Sequence, residues 1–147
     1  MGKRLDSDLF FVCSLIEQIG RDLHLRRGDV VRQLTIDNIS ILLRDACVLH
    51  CEPLEKVADD AVREFGLQGG DYDNVSECIY TVPSAWDMGK VYARLIQDTQ
   101  GDDRAAGIWN VYTSWMDELL SFYNSDLYYQ PQEYLAECWR AGHIIDD

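Results

Sequence analysis

The chain has 147 residues, of which 47% are hydrophobic, and a formal net charge of −13 at pH 7. This composition supplies enough apolar residues for the core of one domain and excludes a disordered chain. The acidic charge excludes independent binding of DNA or RNA, because such binding needs cations to neutralise phosphates. No run of 18 apolar residues is present to span a membrane.

Helical spacing of apolar residues predicts four helices in an N-terminal subdomain, residues 1–67. The first predicted helix is capped by Asp6 or Ser7 and has an apolar stripe from Leu9 to Ile19. A short second helix covers about residues 29–34, and Thr35 is the N-cap of the third. The fourth lies between Pro53 and the C-cap Gly66.

A Gly- and Asp-rich loop over residues 68–74 leads into a second predicted helical subdomain, residues 75–147. Its predicted helices are one capped by Ser84, a long aromatic one over about residues 104–123, and one opened by Pro131 and ended by Gly142. A short strand over residues 75–82 would have no strand to pair with. The sequence therefore predicts an all-α fold, a single compact bundle of six to seven helices whose two subdomains share one core.

The cysteines and histidines offer two alternative interpretations, a metal site and a thiol enzyme. Cys47, His50 and Cys51 share one end of the third predicted helix, but structural zinc needs four ligands, and only a distant residue such as His24 could supply another. A catalytic thiol would need a cysteine beside His24, His50 or His143. Buried free thiols in a reducing compartment explain the five scattered cysteines better. We expect no cofactor, no metal, no enzymatic activity and a cytoplasmic location.

The segment from Arg21 to Arg44 has a local excess of arginine and the size of a helix-turn-helix. The charge of the whole chain would repel DNA, so these arginines are better explained as a solvated face that pairs with acids.

Aromatic residues and negative charge are both concentrated in the second half of the chain. All eight Tyr and four Trp follow residue 71, and residues 71–147 carry 4 Lys/Arg against 14 Asp/Glu. So many polar-tipped rings are difficult to bury, because each buried hydroxyl or indole N–H needs a partner. Some rings should therefore lie exposed together on a surface that binds a protein. The predicted contact residues are Trp86, Asp87, Tyr92, Tyr128 and Tyr129.

Two segments of this half resemble small helical bacterial proteins that are often encoded beside ADP-ribosyltransferase-like toxins. The segments run from Pro83 to Ile96 and from Tyr123 to Pro131, with Trp86 and Met88 replacing a Phe and an Ile of the family pattern. The resemblance covers most of the chain, more loosely in the first 67 residues. It implies an antitoxin or immunity-like protein that neutralises a partner, and it transfers no catalytic residue.

These observations favour a non-enzymatic inhibitor that binds a protein with a basic surface, most simply an antitoxin that neutralises a bacterial toxin. The alternative is an acidic mimic of nucleic acid that blocks a nuclease or defence complex, as phage anti-defence proteins do. Acids in rows spaced like phosphates would favour the mimic, whereas a mixed aromatic patch would favour the antitoxin.

Overall fold

The computed structural model describes residues 4–145, and all regular structure in that range is helical. The elements in chain order are α1 (Ser7–Leu23), α2 (Arg27–Leu49), α3 (Leu54–Phe65), α4 (Ala85–Thr99), α5 (Arg104–Tyr112), α6 (Trp115–Leu120), a 3-10 helix (Leu127–Tyr129) and α7 (Gln132–Ala141). The predicted all-α fold and the number of helices are therefore confirmed. The segment over residues 75–82 forms turns and bends and no strand.

The helix ends follow local capping chemistry. The Ser84 hydroxyl accepts a hydrogen bond from the Asp87 amide, and the Asp87 carboxylate accepts one from the Ser84 amide, which makes a capping box at the start of α4. Gly66 and Gly142 end α3 and α7 with φ of 63° and 80°, values that glycine adopts at little cost. These three predicted boundaries are confirmed.

Helix α2 joins the second and third predicted helices. Its backbone is non-helical at Thr35, where φ is 69° and ψ is 164°. A β-branched residue rarely adopts a positive φ, so the break predicted at Thr35 is present as a strained kink inside one element.

The long helix predicted over residues 104–123 is wrong, because the chain breaks between α5 and α6. The hydroxyls of Thr113 and Ser114 donate to the carbonyls of Trp109 and Val111, and Ser114 Oγ also accepts from the Met116 amide. Side-chain bonds of this kind compete with helix continuation and cap a new helix. The longest helix is α2, with 23 residues.

Helix α1 lies at the centre of the bundle and contacts α2, α3 and α4. Ten of its seventeen residues are buried, so it has a much wider apolar surface than a helix on the outside of a bundle. One cluster of buried side chains includes residues from Leu9 to Cys138 and draws on all seven α-helices. The division into residues 1–67 and 75–147 stays a prediction.

Helix α4 approaches α1 closely at Gly89. A Cβ atom at this position would lie 2.7 Å from both the backbone N and the Cα of Ser14, well inside van der Waals contact. Ser14 is itself fully buried, so the contact leaves no room for a side chain, and the absence of one at Gly89 sets the distance between the two helices.

Substituting Gly89→Ala should lower the free energy of unfolding by about 2 kcal/mol, because the added methyl group must push α4 away from the α1 backbone. Urea denaturation measures this change. Gly101→Ala is the matched control, since an added Cβ there meets no atom within 4 Å. If Gly89→Ala instead raised stability, as alanine does in an unconstrained helix, the close approach would be refuted.

Candidate partner-binding surface

The five predicted contact residues do not share one environment. Trp86 and Tyr129 are 42% and 64% exposed, Asp87 is exposed, and Tyr128 is partly buried. Tyr92 is completely buried, so its predicted role as a contact residue is wrong.

The burial of Tyr92 has a clear physical reason. Its hydroxyl donates a 2.7 Å hydrogen bond to Asp117 Oδ1, and its ring stacks on that of Tyr112 with centroids 4.0 Å apart. A buried tyrosine hydroxyl needs such a partner. The signal was present in the sequence, because Tyr92 falls on the same apolar stripe of α4 as Met88 and Ile96.

The twelve Tyr and Trp residues are divided between core and surface. Tyr92, Tyr112 and Tyr123 are at most 1% exposed, whereas Tyr80, Trp86, Trp115 and Tyr129 are at least 36% exposed. The exposed rings do not all lie together. Two of them, Trp86 and Tyr129, line two different grooves that border α4.

The first groove, called here the aromatic groove, lies between the start of α1, the end of α2 and the start of α4. Its volume is about 250 Å³, and its lining includes Phe10, Phe11, Trp86, Cys47 and His50. The Trp86 ring packs edge-on against Phe10 at 5.5 Å and tilted against Phe11 at 6.3 Å. The groove therefore offers rings held by one another, which suits an apolar anchor from a partner.

Acidic side chains accompany this apolar surface. Asp8 lines the aromatic groove, and Asp87 follows Trp86 directly in α4; both are exposed.

The sequence analysis did not predict Phe10 and Phe11 as contact residues, although two adjacent phenylalanines at the start of a helix cannot both point into the same core stripe.

The second groove, called here the tyrosine groove, lies between α4, the 3-10 helix and α7. It measures about 200 Å³, and its lining includes Lys90, Arg94, Tyr128, Tyr129 and Gln132. Lys90 and Arg94 follow Trp86 at intervals of four residues, so all three lie along one exposed stripe of α4. The aromatic and tyrosine grooves are thus neighbours along this helix, with cations in one and acids at the other.

A buried hydrogen-bond network lies in the core behind the two grooves. Glu17 Oε2 accepts from Arg27 Nη2 at 2.9 Å, from Arg21 Nε at 3.1 Å, and from the Tyr123 hydroxyl. Arg27 is fully buried, and the nearby Glu17 carboxylate raises its pKa despite the opposing effect of burial. Tyr123 in turn packs edge-on against Tyr128 at 6.1 Å, so the network reaches the wall of the tyrosine groove.

The same network fixes the loop between α3 and α4. Arg27 Nη2 donates to Asn74 Oδ1 at 3.1 Å, and Asn74 Nδ2 donates to the Ser121 carbonyl at 2.7 Å. On the other side, Asp117 Oδ2 accepts from the Gly28 amide at 3.0 Å. Burial raises the pKa of Asp117 to about 6, although the hydrogen bonds that it accepts oppose this rise.

The cysteines and histidines form no joint site in the described part of the chain. Within residues 4–145 no histidine forms a hydrogen bond with a cysteine; His50 Nδ1 lies 3.3 Å from the Ala46 carbonyl, and His143 Nδ1 lies 2.9 Å from that of Ile144. The same range contains no group of three His, Cys, Asp or Glu side chains that could hold a metal ion. Cys47 and Cys51 are exposed free thiols.

No helix within residues 4–145 has the length and apolar character needed to cross a membrane. Comparisons of the chain with protein-family models, with curated proteins and with solved structures gave no match. The resemblance to proteins encoded beside toxins therefore stays a prediction.

Removing the buried guanidinium by Arg27→Met should lower the free energy of unfolding by about 3–5 kcal/mol, because the Glu17 carboxylate is left in the core with fewer donors. Urea denaturation measures the loss. Arg44→Met is the control, since Arg44 pairs with Asp45 on the exposed surface and its loss should change stability by less than about 0.5 kcal/mol. Equal stabilities for both variants would contradict a structural role for the buried pair.

The raised pKa of Asp117 predicts a pH dependence of stability with a definite sign. Between about pH 4 and pH 6 the folded protein retains a proton that the unfolded chain has released, since the ordinary pKa is 3.8 and the folded value is about 6. The Asp117 contribution to the free energy of unfolding therefore falls as the pH rises, by up to about 3 kcal/mol.

Asp117→Asn has no carboxyl group to titrate at this position, so the difference in stability between wild type and variant should fall across the same pH range. Urea denaturation at pH 4, 5, 6 and 7 measures this difference. A difference that rose with pH would show that the ionised carboxylate is favoured by folding, contrary to its burial.

Proposed function

We propose that the protein is a non-enzymatic inhibitor that neutralises another protein by binding it through the aromatic groove. The observation that carries this proposal is the cluster of Phe10, Phe11 and Trp86, whose rings border an open groove of about 250 Å³. Of the three, Trp86 is exposed, Phe10 is partly buried and Phe11 is buried. An accessible aromatic residue at a concave surface often supplies much of the binding energy in a protein complex.

Charge defines the partner more closely. Asp8 and Asp87 accompany the groove, and the whole chain carries −13, so a complementary surface presents an apolar anchor flanked by Lys or Arg. Attraction between the two fields would speed association and make it sensitive to salt. The mixture of rings and acids supports recognition of a basic protein surface over mimicry of a phosphate backbone.

A bacterial toxin is the partner that the resemblance implies, and the product of the gene adjacent to its own is the first candidate to test. The cytoplasmic location belongs to the same proposal, because the five free cysteines would persist without oxidation in a reducing compartment. A nuclease or defence complex is the alternative partner, for which DNA would compete.

The proposal predicts that Trp86→Ala weakens binding of the partner by about 30-fold or more, as expected for a central aromatic anchor. The protein is co-expressed with the product of the adjacent gene, and the dissociation constant of the purified complex is measured by calorimetry. Trp115→Ala is the matched control, because Trp115 is similarly exposed, at 36%, but does not line the groove. Equal losses for the two variants, or no complex at all, would contradict this function.

The contribution of charge is tested separately by Asp8→Asn, which should slow association at low salt and change dissociation little. Asp59→Asn removes the same charge from the exposed surface of α3 and serves as its control. Displacement of the protein from its partner by duplex DNA would favour the nucleic-acid mimic instead.

A further inference from the structure

Lys90 and Arg94 are two neighbouring cations that no acid neutralises in the described part of this acidic protein. Within residues 4–145 neither side chain forms an ion pair or hydrogen bond, whereas Lys56 pairs with both Glu52 and Asp60 on α3. They lie one helical turn apart, so their Cβ atoms are about 6 Å apart. Two free cations at this spacing suit a doubly charged anion such as a phosphate group.

The acids nearest to them along α4 are engaged elsewhere. The Asp87 carboxylate accepts from the Ser84 amide at 3.1 Å, and Asp98 Oδ2 accepts from Gln132 Nε2 at 2.8 Å. Neither Asp87 nor Asp98 forms an ion pair with Lys90 or Arg94. The positive charge of the tyrosine groove is therefore left available to a ligand.

A tyrosine ring lies beside these cations. Tyr129 is 64% exposed and packs edge-on against Tyr128, with centroids 5.1 Å apart. Tyr128 is held in turn by the buried ring of Tyr123. An exposed ring that is supported in this way is a stacking platform for a planar heterocycle.

Two glutamines add hydrogen-bond acceptors to the same groove. Gln130 Nε2 donates to the Asp126 carbonyl and Gln132 Nε2 donates to Asp98 Oδ2. These contacts orient the amides, so each carbonyl oxygen is left to accept a hydrogen bond from a ligand. The lining thus combines a site for an anion, a site for a ring, and acceptors for N–H groups on the edge of that ring.

We propose that the tyrosine groove binds a nucleoside monophosphate, with the phosphate at Lys90 and Arg94 and the base stacked on Tyr129. The groove measures about 200 Å³, and the exposed ring of Tyr129 at its edge offers contact area for the base outside that volume. This site is separate from the aromatic groove and does not depend on the function proposed for it.

Two other classes of ligand fit the groove less well. A nucleic-acid strand needs a continuous row of cations, and the net charge of −13 opposes the approach of a polyanion. An acidic protein segment would satisfy the cations, but its carboxylates provide no planar ring to stack on Tyr129.

The proposal is tested by titrating the full-length protein with adenosine monophosphate and measuring the dissociation constant by calorimetry. A small, open site predicts a value on the order of 0.1–1 mM. Inorganic phosphate and adenosine are titrated in parallel, and each should bind at least about tenfold more weakly, because each lacks one half of the recognised ligand.

Variants then locate the site. Arg94→Gln and Tyr129→Ala should each weaken binding of adenosine monophosphate about fivefold or more, the first through the phosphate and the second through the base. Arg44→Gln removes an equal charge from a cation that lies outside the groove and should leave the dissociation constant unchanged. Trp86→Ala should also have no effect, which separates this site from the partner-binding proposal.

Four results would overturn the proposal. Absence of saturable binding up to about 10 mM would refute the site itself. Equal affinity for inorganic phosphate would refute recognition of the base, and equal affinity for wild type and Arg94→Gln would refute the assigned location. Tighter binding of a tetraglutamate peptide than of adenosine monophosphate, lost in Arg94→Gln, would replace the nucleotide by an acidic protein segment.

Discussion

The carboxylate of Glu17, buried in the middle of α1, is the point on which the arrangement of the remaining chain depends. A charge in the interior is tolerated only when donors surround it, and here Oε2 alone accepts from Arg21, Arg27 and Tyr123. These donors come from the end of α1, the start of α2 and the turn after α6. None of the three segments can move away without removing a donor from a buried carboxylate, so a single oxygen atom joins both halves of the sequence.

This constraint extends from the core to the surface. Tyr123 is fixed by the carboxylate and packs against Tyr128, which forms a wall of the tyrosine groove. On the other side of α4, Gly89 contacts Ser14 and so allows α4 to pack closely against α1. Because the helices are this close, the Trp86 ring packs against the Phe10 ring. Both grooves are therefore consequences of core packing and not of mobile surface loops, which favours binding sites that exist before a ligand arrives.

The sequence was informative where structure is decided locally. Capping residues such as Ser84 and Gly66 marked helix ends correctly, because the interactions that stop or start a helix lie within a few residues. The break at Thr113 was not predicted, since the apolar spacing continues across it and only the hydroxyl bonds interrupt the helix. The grooves could not be predicted either: Phe10 and Trp86 are 76 positions apart, and only the folded chain brings such residues together.

The excess of acids makes the two free cations of the tyrosine groove informative. With 26 Asp and Glu residues against 13 Lys and Arg, several exposed cations form an ion pair with a nearby acid, as Lys56 does. Among the described residues, Lys90 and Arg94 form no such ion pair. The two acids nearest to them on α4 have other partners, since Asp87 completes a helix cap and Asp98 binds Gln132 of α7. The same contacts that begin α4 and attach α7 to it thereby leave a positive segment about 6 Å long on the helix, from Lys90 to Arg94, next to an aromatic groove with acids.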